Sequence, residues 1–278
     1  METDVRGLEH HALNIRRRIV RLTGTKGVGH TGGSLSMADM MAALYFHAMN
    51  HDPADPAKAD RDRFILSKGH ATPGYYSTLC EAGYFAEEEL MAEYDELSGR
   101  FQGHPDMHKT PGVDMSSGSL GQGLSVGIGI ALGLARKNIT ANTFVMMGDG
   151  EMQEGQVWEA LMYAGNHRVP RLVALVDRNS LQLTAATSEV LGMANLPARL
   201  DAFGWKVLTC DGNDMAALVT TLDAALDHAP GGPVVIVADT VKGKGVSFME
   251  NRVAWHSKAP NAQEMAAALK ELEDGHER

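Results

Sequence analysis

The apolar residues Leu8, Ala12, Ile15, Ile19 and Leu22 recur at steps of four and three, a spacing that places them on one face of an α-helix. The predicted helix ends in the glycine-rich segment 24–33. A second helix is predicted from about Ser36, whose hydroxyl suits an N-cap, to Asn50, and the Asp-Pro-Ala-Asp-Pro run at 52–56 breaks it. Residues 63–67 read as a short buried strand entering a loop at Lys68-Gly-His-Ala71, and 98–123, rich in glycine and proline, read as loop. A glycine-spaced helix follows over about 123–137. The runs 143–147, 171–176 and 234–238, with 205–209 as a weaker fourth, are nearly continuous in apolar residues rather than alternating, as expected of strands buried on both faces. Helical patterns near 155–168, 188–203 and 213–228 separate them. This alternation predicts an α/β fold, a three-layer parallel sheet with helices on both faces. It reads as one domain over 1–278, with a charged helical tail at about 261–278 that frays at Gly275.

Composition narrows the class. The 278 residues are 44% hydrophobic and 22% charged, ordinary globular usage that excludes disordered and collagen-like chains. Twenty-five Lys and Arg against 35 Asp and Glu leave a net charge of −10, the wrong sign for a general nucleic-acid surface. The cluster Arg16-Arg17-Arg18 with Arg21 is read as the solvated face of the first helix. Cys80 and Cys210 form no Cys-x-x-Cys pair, which argues against a zinc knuckle or disulfide framework. The longest apolar stretch, 124–135, is too short to span a membrane, and no signal peptide is visible. The expectation is a cytoplasmic protein with no membrane segment.

Candidate chemistry sits where strands end. Gly148-Asp149-Gly150 closes one strand, and Asp177-Arg178-Asn179 closes another thirty residues on. Ligands of open α/β sheets bind at such carboxyl edges. One Asp and one Asn there could hold a hard cation with open positions for phosphate oxygens, and Gly148 and Gly150 would let the backbone turn tightly beside it. An ordinary Gly-Asp-Gly turn is the competing reading. His30, His70 and His104 each follow a glycine in a loop, and His256 is of similar type. Their imidazoles could bond phosphate or hydroxyl groups and move protons near pH 7. Gly27-x-Gly29-x-x-Gly32, with Asp52 beyond, matches a dinucleotide fingerprint by letters, but a helix precedes it rather than a strand. For the glycines at 123, 127 and 133, close core packing and a loop gripping a flat ligand both remain open.

Together these segments resemble transketolase, a thiamine-diphosphate enzyme. The resemblance rests on Gly29-His-Thr-Gly-Gly33, Asp62-Arg-Phe-Ile-Leu-Ser-Lys-Gly-His-Ala71, Gly103-His-Pro-Asp106, Ser117-Gly-Ser-Leu-Gly-Gln-Gly123, Asp149-Gly-Glu-Met-Gln-Glu154 and Trp255-His256, in that order. It implies that Asp149, Asn179 and the Leu181 carbonyl hold Mg²⁺ (or Ca²⁺ or Mn²⁺), and that Gly150 contacts the diphosphate of thiamine diphosphate. His70 and His256 would approach the diphosphate and reaction centre, Gly118 and Leu120 the aminopyrimidine, and His30 and His104 the sugar. Glu154 would link two active sites. The implied reaction moves a two-carbon glycolaldehyde unit from a ketose phosphate to an aldose phosphate, as in the pentose phosphate pathway of carbohydrate metabolism.

Departures from the pattern qualify the resemblance. His30-Thr31 replaces the more usual His-Pro, and Asp177-Arg-Asn179 the commoner Asp-Asn-Asn. A usual transketolase is far longer, and its further domains carry the glutamate that activates the aminopyrimidine, an aromatic that stacks on it, and arginines for the substrate phosphate. The chain is therefore expected to be the N-terminal subunit of a split transketolase. It would be inactive alone and pair with a C-terminal subunit in a heterotetramer with two copies of each. A related chain whose enzyme takes a sulfonated or branched sugar and a non-catalytic binding module are the alternatives; the intact motif residues argue against the latter.

Overall fold

The computed structural model describes residues 3–274, so the fray at Gly275 lies outside the described residues. The first amphipathic stretch forms α1 (Val5–Lys26). The Asp4 carboxylate accepts from Gly7 N at its start, and Gly27, in the left-handed region at φ 67°, stops it. The second helix begins earlier than its sequence suggests. α2 (Thr31–Ser36) and α3 (Ala38–Ala43) lead into a π turn at Leu44–Ala48, so Ser36 ends a helix instead of capping one. Its buried hydroxyl donates to Asp177 Oδ2 at 2.7 Å. A tertiary partner, not a helix start, accounts for this serine.

Next come β1 (Arg63–Leu66) and the helices α4 (Thr72–Glu81) and α5 (Glu87–Glu93), which no stripe in the sequence announces. Every residue of α4 from Thr72 to Leu79 is buried, and a helix covered all round shows no polar face. After α6 (Gln122–Arg136), β2 (Thr143–Gly148), α7 (Gly155–Asn166) and β3 (Leu172–Arg178), the helix expected over 188–203 is two pieces. α8 (Thr187–Leu191) and α9 (Leu196–Ala202) are separated by Asn195 in the left-handed region. The chain closes with β4 (Lys206–Asp211), α10 (Met215–His228), β5 (Val234–Asp239) and α11 (Ala262–Asp274). Far from being free in solvent, α11 buries Ala268 and Leu272.

Among the described residues the five strands pair in parallel, in the order β1-β2-β3-β5-β4. Side chains alternate across the sheet. Phe64, Phe144, Val173 and Val234 join a core with α1, α3, α4, α10 and α11. Ile65, Val145, Ala174 and Val235 join a second core with α6, α7 and α9. Both faces of the central strands are thus covered, which is why β2, β3 and β5 read as nearly continuous apolar runs, whereas the edge strand β4 is only partly buried. On α6, a Cβ added at Gly123 would strike Ser67 and one at Gly127 would strike Val145, whereas Gly129 and Gly133 face open space. The packing reading therefore holds for Gly123 and Gly127, and their role is to seat α6 on the sheet.

Two members of the arginine cluster, Arg16 and Arg18, depart from the expected solvated role, while Arg21 is exposed as expected. Arg16 pairs through both terminal nitrogens with Asp39 of α3, and Arg18 reaches Glu81 of α4, Glu87 of α5 and the Ser77 carbonyl. Both arginines are buried. Helices pack on more than one side of α1, so its polar positions meet other helices, where each desolvated guanidinium needs a carboxylate.

Candidate active site

Four of the parallel strands deliver polar residues just beyond their carboxyl ends: Lys68 and His70 after β1, Asp149 after β2, Asp177 and Asn179 at the end of β3, and Thr240 and Lys242 after β5. Asp177 is the hub. Fully buried, it accepts from Lys68 Nζ, Ser36 Oγ and Thr240 Oγ1, tying α2 to three strand ends. Burial by itself would raise its pKa, yet the Lys68 ammonium beside it holds it below the usual carboxylate range. Lys68 also donates to Gly33 O at 2.8 Å.

Asp149 lies alongside. Its Oδ2 accepts from Ser180 N at 2.7 Å and its Oδ1 from Gly150 N at 3.0 Å. Burial, with the Asp177 charge nearby, pushes its pKa up to about 6. Asn179 Oδ1 accepts from Leu181 N at 3.2 Å, and the Leu181 carbonyl accepts from Lys242 Nζ at 3.1 Å. One carboxylate, one amide oxygen and one carbonyl line the same cleft. That all-oxygen set has the hardness a Mg²⁺-like cation prefers, and with so few protein ligands such a cation would draw the rest from phosphate or water. The residues therefore fit a cation shared with a diphosphate.

The opposite wall is cationic and imidazole-rich. Burial, then the Lys68 charge, lowers the Lys242 pKa to about 8. Its Nζ lies 2.9 Å from His256 Nδ1. The rings of His30, His70 and His256 stand 5.0–5.6 Å apart, centroid to centroid. Burial is the leading cause that lowers all three imidazole pKa values, and the neighbouring lysines add to it. His70 falls well below the ordinary value and His256 to about 3. All three are neutral at pH 7, so each offers one donor and one acceptor.

The cleft, about 260 Å³, is lined by His70, Leu120, Asp149, Gly150, Glu154, Asn179, Leu181 and His256 among the residues expected from sequence. His30 reaches it through its ring contacts. His104 and Gly118 are outside the lining and pack on each other: Gly118 has φ +150°, and a Cβ there would lie 3.0 Å from His104 Cδ2. Glu154, exposed, precedes α7. Gly148 and Gly150 do not adopt positive φ, so their expected tight turn is not a left-handed one; at Gly150 the constraint is space, since a Cβ would sit 3.1 Å from that of Gln182. Sequence reasoning passed over Lys68, Lys242 and Glu151. The buried Glu151 accepts from Ser67 Oγ, Gly121 N and Gly148 N, bracing three loops of the site. Lys68 and Lys242 each precede a glycine just after a strand, which was the available signal.

Comparison with known proteins shows the family. Residues 10–276 match the family model described as transketolase, thiamine diphosphate binding domain. The chain is 41% identical over 268 residues to an apulose-4-phosphate transketolase subunit from Actinobacillus succinogenes, covering 96% of each. It is 40% identical over 266 residues to a 6-deoxy-6-sulfo-D-fructose transketolase subunit of a Clostridium species, again covering 96% of each. The transketolase structure from Leishmania mexicana superposes with a TM-score of 0.90 at 28% identity, over 96% of this chain and 41% of that one. The chain thus spans about two fifths of that solved transketolase but nearly the whole of the two bacterial subunits. It belongs to the transketolase family, in which it corresponds to the N-terminal, thiamine-diphosphate-binding part.

Proposed function

We propose that this chain is the diphosphate-binding subunit of a two-chain transketolase, a single domain over 1–278 that is active only with a C-terminal partner subunit. The reaction would transfer a two-carbon unit between sugar phosphates, in the cytoplasm, within a heterotetramer. The observation that carries this reading is the meeting of Asp149, Asn179 and the Leu181 carbonyl with Lys68, Lys242, His70 and His256 at one cleft. The near full-length match to relatives named as subunits supports the split.

In this proposal Asp149, Asn179 and Leu181 O hold Mg²⁺, and Gly150 and Lys242 face the diphosphate. Bound thiamine diphosphate would supply the carbanion-stabilising chemistry that side chains lack. The protein binds, orients and moves protons. His256 Nδ1 receives the Lys242 proton as a hydrogen bond, which leaves the imidazole proton on Nε2, free to donate. His30 and His70, neutral and adjacent, can pass protons to and from substrate oxygens. In this reading Leu120 and Gly118 would contact the aminopyrimidine end, His104 the sugar, and Glu154 the partner, linking two active sites.

The test is ketol transfer from xylulose 5-phosphate to ribose 5-phosphate with thiamine diphosphate and Mg²⁺, using the chain alone and co-expressed with its C-terminal partner. Activity only in the mixture is expected, and activity of the chain alone would overturn the split site. The names of the two relatives favour a second reading, a branched or sulfonated sugar as substrate. Turnover of apulose 4-phosphate or 6-deoxy-6-sulfofructose, with none of xylulose 5-phosphate, would select it.

A further inference from the structure

Gln153 closes the short turn Glu151–Gln153 that follows Asp149-Gly150. Its Nε2 lies 2.8 Å from Gln182 Oε1, 3.0 Å from Leu191 O and 3.3 Å from Thr187 O, and its two hydrogens serve the three acceptors with one of them shared. All three oxygens belong to the 180–191 segment, which carries the Leu181 carbonyl. That segment has little apolar anchorage: α8 buries no residue, and Leu183, Val190 and Leu191 are exposed. Its other bonds are largely internal, with Gln182 N on Ala185 O, Thr187 N on Ser180 O, and an isolated bridge between Leu181 and Ala186. Asp149 and Lys242 also hold it, through Ser180 N, Thr187 Oγ1 and Leu181 O. Both of those groups face the cation and diphosphate positions, whereas Gln153 is neutral and its amide bonds the segment at three places.

We infer that Gln153 is a positioning residue: it fastens the 180–191 segment to the Asp149 turn, holds the Leu181 carbonyl over the Asp149–Asn179 pair, and so sets the affinity for the divalent cation. The inference rests on the proposed function for the identity of that cation. Its physical basis is that a ligand on a loosely packed segment must be ordered at the moment of binding unless something orders it beforehand. Partners behind the ligands of a metal site typically change its affinity by about 10–100-fold.

Gln153→Met preserves side-chain length and removes both donors; Gln153→Glu preserves shape and sets a carboxylate against the three oxygens. In the full chain, Gln153→Met should speed hydrogen exchange at the Gln182 and Thr187 amides by about tenfold, with β2 and β3 unchanged. In the complex with the C-terminal subunit, it should raise the Mg²⁺ concentration for half-maximal thiamine diphosphate binding by about tenfold, followed by titration calorimetry. Gln153→Glu should do the same. Unchanged exchange overturns the tether. Faster exchange with an unmoved Mg²⁺ requirement overturns the positioning role and leaves only a structural one. If the wild-type complex itself binds no thiamine diphosphate with Mg²⁺, the proposed function fails and the cation role fails with it, while the exchange measurement still judges the tether.

Discussion

The Lys242 ammonium lies 2.9 Å from His256 Nδ1 and also donates to the Leu181 carbonyl at 3.1 Å. One buried cation thus joins the imidazole wall of the cleft to its oxygen wall. Burial first, and then this lysine charge, keep His256 from becoming a second positive charge. Lys242→Met should move the His256 titration upward from about 3 toward the ordinary imidazole range. Imidazole NMR titration would show this, and an unmoved His256 would mean that burial alone sets its value.

The histidine cluster makes the fold acid-sensitive. His30, His70 and His256 all titrate below the ordinary 6.5. Below pH 6.5 the unfolded chain takes up protons that the folded chain refuses, so their contribution is intact above that pH and is lost as pH falls toward about 3. Asp149 acts in the opposite direction: with its pKa raised to about 6, the folded chain takes up that proton first, and acid relieves the cost of its burial. His70→Gln should therefore flatten the loss of stability between pH 7 and pH 5, read from urea denaturation at each pH. A slope equal to wild type would exclude His70 as a contributor.

Asp149 is proposed to hold the cation and is costly to bury without one. Asp149→Asn removes the charge and keeps an oxygen for only one of Ser180 N and Gly150 N, which Asp149 serves with separate oxygens. Thiamine diphosphate binding in Mg²⁺ should fall by tenfold or more, on the order expected for a charged ligand, and EDTA should do the same to wild type. The thermal midpoint should change little, since relief from a buried charge offsets the hydrogen bond that asparagine cannot accept. Undiminished binding would remove Asp149 from the metal site.

Arg16 and Asp39 are both buried, and Asp39 also accepts from Asn213 Nδ2 at 2.8 Å. Arg16→Met strands the carboxylate and should cost about 3–5 kcal/mol in urea denaturation. The double change Arg16→Met with Asp39→Leu should recover most of that loss. Failure to recover would show that the bonds, rather than the stranded charge, dominate.

Two glycines of α6 separate packing from propensity. Gly127→Ala drives a methyl into Val145 and should destabilise by about 1–3 kcal/mol. Gly133→Ala meets nothing and should stabilise by up to about 1 kcal/mol through helix propensity. Equal effects in urea denaturation would contradict the seating of α6 on β2.

Much of the fold was legible because burial leaves a local trace. Strands covered on both faces read as unbroken apolar runs, and α1 reads as a stripe. The trace fails where a helix is enclosed on all sides, as in α4, and where polar residues meet partners inside the protein, as with Ser36, Arg16 and Arg18. Within the site, the Gly-His pairs and Gly-Asp-Gly were recognisable because glycine beside a functional group is locally unusual. Lys68 was not, since its meaning depends on Asp177, 109 residues away.

Local pattern alone established the alternation of strands and helices, the two-sided burial of the sheet and the resemblance to transketolase, because periodicity and short motifs are properties of neighbouring residues. It took the folded chain to place Lys68, Asp149, Asp177 and Lys242 at one sheet edge, to hold three imidazoles neutral, and to set Gln153 against the 180–191 segment. Those properties arise from desolvation and Coulomb interaction between groups far apart in the chain, and they exist only once the parallel strands have brought their carboxyl ends together.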